Sequence, residues 1–111
     1  MISKDNADHY VWGDNCDGWR LADREDCSII HEQMPRDTRE VRHYHNESRQ
    51  FFFVLSGWMH IEVDGKQQVL QPHEGIDVPP KTPHQVFNHS AEALEFLVIS
   101  QPNTRNDRVL A

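Results

Sequence analysis

Met59-His60-Ile61-Glu62-Val63-Asp64-Gly65-Lys66-Gln67-Gln68-Val69-Leu70 reads as two strands joined by a tight turn. Met59, Ile61 and Val63 alternate with His60, Glu62 and Asp64, a period of two that puts the apolar side chains on one face of an extended chain. Asp64-Gly65 supplies residues that tolerate the positive φ of a two-residue hairpin turn, so the chain folds back into Lys66 to Leu70. Upstream, Gly57 ends an apolar run, Phe51 to Leu55, that reads as a strand. Residues 39 to 45 (Arg-Glu-Val-Arg-His-Tyr-His) form another, Pro35 to Asp37 a turn, and residues 28 to 34 (Ser-Ile-Ile-His-Glu-Gln-Met) a further strand. Downstream, Pro72 to Gly75 turns the chain into Ile76 to Val78, Pro79-Pro80 bends it, and residues 84 to 88 and 94 to 100 complete the series. No segment holds a helical period for about ten residues, and strands punctuated this regularly predict an all-β fold closed into a small antiparallel barrel.

The chain has 111 residues, 37% of them hydrophobic, which fits one compact domain over residues 1–111. Within it, residues 27–101 form the expected barrel. Residues 1–26 are polar but carry Tyr10, Trp12 and Trp19, and are expected to pack on it, while residues 102–111 lose the alternation and are expected to fray as a polar tail. Eighteen acidic against 11 basic residues give a formal charge of −7, which argues against nucleic acid as a partner because no continuous positive face is available. The longest apolar run, Phe51 to Leu55, falls far short of the roughly 20 residues that span a bilayer, and the opening residues lack a secretory signal. Two cysteines make no disulfide framework, so a cytoplasmic location is expected.

Eight histidines are many for this length. His43 and His45 are two apart, so on a strand both imidazoles project from one face and can converge on one ion. Gln50, Gly57 and then the segment Pro79-Pro80-Lys81-Thr82-Pro83-His84-Gln85-Val86-Phe87-Asn88 follow in order. This pattern resembles the cupin superfamily, with a first motif of His-x-His, three or four residues, Glu, six residues, Gly. The second is Gly, five residues, Pro-x-Gly, two residues, His, three residues, Asn. His43, His45 and Gly57 match the first, with Gln50 in the place of the glutamate, and Pro79, His84 and Asn88 match the second. The resemblance spans about residues 27 to 101. It implies a double-stranded β-helix (jelly-roll) barrel, one divalent metal ion per chain held by His43, His45, Gln50 and His84, a small-molecule ligand, and a homodimer.

The departures carry information. A glutamine carbonyl can coordinate a divalent ion but brings no charge, leaving a site more Lewis acidic than the glutamate version and attractive to carboxylate, enolate or deprotonated hydroxyl oxygens. The donor set does not choose among Zn, Ni, Mn and Fe. Lys81 stands at the motif glycine, a cost of about 1 kcal/mol if the turn needs a positive φ, and His73 stands at the first glycine with Gly75 two residues on. Arg36, Arg39, Arg42 and Arg49 cluster around the histidine pair. By strand parity Arg39 shares the face of His43 and His45, and Arg42 does not, which makes Arg39 the arginine expected in the pocket. Gln50, Phe52 and Val54 share a face, so Phe52 and Val54 are expected to line the interior, while Phe51, Phe53 and Leu55 face a partner chain or the amino-terminal segment. No Asp or Glu of the matched motifs stands out as a general base.

Two functions follow from the resemblance. One is an enzyme, of dioxygenase or isomerase and lyase type, that activates a small oxygen-rich metabolite (carboxylate, enol or sugar-like) at the metal. The other is a module that binds such a molecule without transforming it.

Overall fold

The computed structural model describes residues 1–111 and is built of strands alone. They are β1 (Asp8–Trp12), β2 (Cys16–Asp23), β3 (Ser28–Met34), β4 (His43–Tyr44), β5 (Arg49–Ser56), β6 (Met59–Val63), β7 (Lys66–Leu70), β8 (Gly75–Val78), β9 (His84–Phe87), β10 (Leu94–Gln101) and β11 (Val109–Leu110). A six-stranded sheet in the order β1-β2-β3-β10-β5-β8 faces a five-stranded sheet in the order β11-β4-β9-β6-β7, and every pairing is antiparallel. This is the all-β, double-stranded β-helix arrangement that the alternation and the motif spacing predict. No helix is present, hence none long and apolar enough to cross a membrane.

The hairpin forms as read, with Asp64 at φ 50° and Gly65 at φ 87° between the paired residues Val63 and Lys66. Positive φ at both turn positions is the twist-matched geometry of two-residue hairpins. The core lies between the sheets, where Phe52, Val54, Met59, Ile61, Val78, Val86, Leu94, Phe96 and Val98 pack as one cluster. Burying such side chains contributes about 1.5–3 kcal/mol apiece before conformational entropy is counted. β5 alternates as expected: Gln50, Phe52 and Val54 are buried and Phe51 is 39% exposed on the other face. Gly57 ends β5 at φ +79°, and a Cβ there would sit 2.6 Å from the Ala93 carbonyl oxygen, so both backbone conformation and space demand glycine. Asn88, fully buried, ties this corner together by donating to the carbonyls of Met34 and Glu92.

Three stretches depart from the reading of the sequence. The strand expected over residues 39–45 survives only as His43–Tyr44. Glu40 is the reason: its side-chain Oε1, in place of a backbone carbonyl, accepts the Val86 N–H at 3.0 Å, and the regular ladder breaks there. The amino-terminal segment is itself sheet, since β1 and β2 form a hairpin that joins the large sheet through β3. The tail is not frayed. β11 pairs with β4, and the Asp107 carboxylate accepts the backbone N–H groups of Asn46, Glu47 and Ser48 at 2.7, 3.0 and 3.0 Å.

Candidate metal centre

His43 on β4 and His84 on β9 are directly paired across the small sheet, which brings their rings to 4.6 Å between centroids. His45, two residues on, returns to the same face at 4.9 Å from His43 and 5.7 Å from His84. One potential ligand atom from each of the three lies within 4.8 Å of the others. All are buried, at 5%, 5% and 1% exposure. Gln50 reaches the group from β5 in the opposite sheet, its amide oriented by donation from Nε2 to Ser100 Oγ at 3.1 Å across the β5–β10 pair.

The tautomers are set by the backbone. His43 Nδ1 meets the Val41 carbonyl at 2.7 Å, His84 Nδ1 the Thr82 carbonyl at 2.9 Å, and His45 Nδ1 the Asp107 carbonyl. A carbonyl only accepts, so each Nδ1 carries the hydrogen and each Nε2 keeps its lone pair. His45 Nε2, His84 Nε2 and Gln50 Oε1 are buried with no partner in the chain. Burial also pushes the imidazoles toward their neutral form, His43 to about 3 and His45 and His84 in the same direction, against the raising effect of their carbonyl partners. Three converging neutral imidazoles with the Gln50 amide oxygen beside them, His45 Nε2, His84 Nε2 and Gln50 Oε1 unsatisfied, are a donor set that fits a divalent ion.

Beside the histidines lies a cavity of about 210 Å³, smaller than the roughly 300–1,000 Å³ of drug-sized sites and so suited to a small metabolite. His43, His45 and Gln50 line one side, with Phe52 on the wall as expected. Val54 does not line it; one side-chain repeat further along β5, it is fully buried in the core. Arg39 does not join the site either. It is exposed over a separate depression with Asp37 and His89, because the irregular chain around Glu40 removes the parity that aligned it with His43. Arg36, Arg42 and Arg49 are engaged with Asp37, Glu62 and Asp77. The arginine on the cavity wall is Arg108, from the tail.

Glu32, Glu40 and Tyr10 also line the cavity and were not among the expected site residues. Glu32 had a signal, since it falls in phase with Ile30 and Met34 on the inward face of β3, a charge where the pattern asks for an apolar side chain. Burial raises the Glu32 carboxyl to about 7 and the Glu40 carboxyl to about 8, the latter with help from the Glu32 charge. Tyr10 lies flat on Gly18, where any Cβ would come within 2.3 Å of its ring, and its hydroxyl points at Glu32 Oε1 3.4 Å away. Lys81 adopts φ 62°, so the turn before His84 keeps the left-handed conformation of the motif glycine, and its N–H is donated to the His45 carbonyl at 2.6 Å.

Comparison with known proteins agrees with this fold. An uncharacterized protein of Methanocaldococcus jannaschii is 27% identical over 75 residues, 68% of this chain and 60% of that protein. Quercetin 2,3-dioxygenase of Bacillus subtilis is 29% identical over 72 residues, 63% of this chain but 21% of the enzyme, so the chain spans only part of these relatives. Among solved structures, KdgF from a Halomonas species superposes with a TM-score of 0.86 at 17% identity, covering 96% of this chain and 97% of that one. The Cupin domain family matches residues 30–100, the stretch that carries His43, His45, Gln50, Gly57, Pro79, His84 and Asn88, and the chain therefore belongs to the cupin family.

Proposed function

We propose that this protein is a metal-dependent enzyme acting on a small oxygen-rich metabolite, with one divalent ion per chain held by His43, His45, His84 and Gln50. The observation that carries the reading is the set of buried acceptors without donors: His45 Nε2, His84 Nε2 and Gln50 Oε1. Unpartnered buried polar atoms cost free energy that apolar side chains would avoid, and a cation removes that cost at all of them together. When bound, such an ion supplies Lewis acidity toward carbonyl, carboxylate and hydroxyl oxygens. The rest falls to the chain. The carbonyls of Val41, Thr82 and Asp107 hold the imidazoles in the ligating tautomer, and Gln50 adds a donor without adding negative charge. Trp12 and Phe52 form an apolar wall that limits water around a bound molecule, while Arg108 favours an anionic one. The likeness to a quercetin dioxygenase supports the class of chemistry and leaves zinc, nickel, manganese and iron all compatible with the donors.

Elemental analysis after incubation with each metal and desalting tests the proposal. About one ion per chain is expected in the wild type and none in His84→Ala. Unchanged metal content in that variant would sink the ligand assignment. Tight ligand binding without turnover would make the protein a binding module instead.

A further inference from the structure

Glu32 and Glu40 stand apart from everything the ligand set requires. They come from different elements, the middle of β3 and the loop before β4, yet line the same cavity as His43 and His45. Each has one oxygen fixed: Glu40 Oε1 by the Val86 N–H at 3.0 Å, Glu32 Oε1 by the Tyr10 hydroxyl at 3.4 Å. Neither Oε2 is hydrogen-bonded within the chain, and neither carboxyl group is in an ion pair. Two partly buried acids held in no ion pair are costly to keep, and such groups in a cavity are candidates for proton transfer.

We propose that Glu32 and Glu40 are an acid–base pair on one cavity wall that moves hydrogen between neighbouring carbon and oxygen atoms of a hydroxy-carbonyl substrate, making the reaction a non-redox isomerisation or tautomerisation. The inference rests on the metal-dependent reading above and names its substrate class. Like charges in one cavity cannot both ionise cheaply, so one proton stays on the pair near neutrality. In this proposal Glu32, whose Oε1 accepts the Tyr10 hydroxyl, is the carboxylate at rest, and Glu40 carries the proton. Facing them are Tyr10 from β1, His43 and His45, and Arg108 from the tail, whose positive charge keeps the shift from going further.

The proton inventory closes. Glu32 takes the hydrogen from the carbon beside the carbonyl: that C–H bond breaks and an O–H bond forms on Glu32. The C–H pair becomes the C=C bond, the carbonyl π pair moves onto oxygen, and the Glu40 proton goes to that oxygen, giving a neutral enediol. Glu40, now ionised, takes the proton of the other enediol hydroxyl as Glu32 returns its own to the neighbouring carbon. The carbonyl has moved by one position, Glu32 is again ionised and Glu40 protonated. No oxidant or reductant is consumed.

Carboxyl titration by carbon-13 NMR of glutamate-labelled, zinc-loaded protein tests the couple without turnover, with Glu32→Gln and Glu40→Gln giving the assignments. Glutamine keeps an oxygen able to accept the Val86 N–H or the Tyr10 O–H, so both variants should fold. One proton is expected to remain on the pair at neutral pH, and Glu32→Gln is expected to move the Glu40 titration to lower pH. Independent titration of both groups in the ordinary carboxylate range, or a Glu40 midpoint untouched by Glu32→Gln, overturns the proposal. In deuterium oxide the zinc-loaded wild type should wash deuterium into glyceraldehyde beside its carbonyl, and either variant should lose about 100-fold or more while retaining its zinc. Absence of wash-in by the wild type, or wash-in by either variant equal to that of the wild type, also overturns it. Loss of the metal reading is seen separately, as a wild-type protein that retains none of zinc, nickel, manganese and iron.

Discussion

Gln50 sets the formal charge of the candidate centre. Three neutral imidazoles and an amide leave the charge of a divalent ion uncompensated, whereas a carboxylate at this position would cancel part of it. The side chain is held for coordination by Ser100, whose Oγ accepts from Gln50 Nε2 at 3.1 Å. In Gln50→Glu the Ser100 hydroxyl can turn to donate to the carboxylate, so the site is not disrupted. The expected outcome is metal affinity at least about tenfold higher, from the added charge, read by competition with a chelator. Lower affinity in Gln50→Glu would mean that position 50 is not a ligand. The residue scale is also where the sequence was most legible, because the spacing is local: His-x-His and the rigid turn before His84 name the three imidazoles that lie together. Arg39 failed on the same scale because parity was carried across a stretch that is not strand.

Elements differ in how they are held, and that decides which were legible. β6 runs on backbone ladders with one buried face, so period two marks it, and β7 follows from the Asp64-Gly65 turn. The segment before β4 replaces a ladder bond with the Glu40 carboxylate, a contact that alternation cannot report. That substitution has a consequence for stability. In the metal-free protein Glu40 and Glu32 are raised from 4.5 to about 8 and about 7, so above pH 4.5 the unfolded chain gives up these protons before the folded one does. Stability from this source falls as pH rises to about 8. His43, His45 and His84 are lowered from 6.5, so their contribution is full above 6.5 and is lost as pH falls below it. The lowered carboxyls of Glu62 and Asp107 act only below their ordinary range. Above about pH 6.5 the two raised acids alone remain, so urea midpoints of the metal-free protein should decline from there to about pH 8. Glu40→Gln, which cannot ionise, should flatten most of that decline. An equal decline in the variant would mean that Glu40 is not held protonated by the fold.

Across the whole molecule, both ends of the chain close the cavity. β1 brings Tyr10 and Trp12 to it from one end, and the tail brings Thr104 and Arg108 from the other. Neither contribution follows from the motif pattern, which lies between them. The tail was illegible for a specific reason: apart from the short β11 pairing it is held by side-chain contacts, not alternation, with Asn103 and Arg105 bound to Asp23 and Asp107 capping the loop after His45. Asp107 receives three consecutive backbone N–H groups, from Asn46 to Ser48, while its own carbonyl meets His45 Nδ1. The loop after His45 and the orientation of that imidazole therefore depend on the same residue, more than sixty positions away in sequence. Asp107→Ala removes the cap but keeps the carbonyl. By analogy with helix amino-terminal caps, which also satisfy backbone N–H groups with a side-chain oxygen, it should cost about 0.5–2 kcal/mol of stability. With the tail loosened the His45 tautomer is no longer enforced, and metal affinity should fall about 10–100-fold. Asp107→Asn retains an oxygen that can accept part of the N–H set and should lie between the two, in urea unfolding and in metal titration alike. If Asp107→Ala lost stability while binding metal as the wild type does, the tail would be a structural clasp with no hold on the centre.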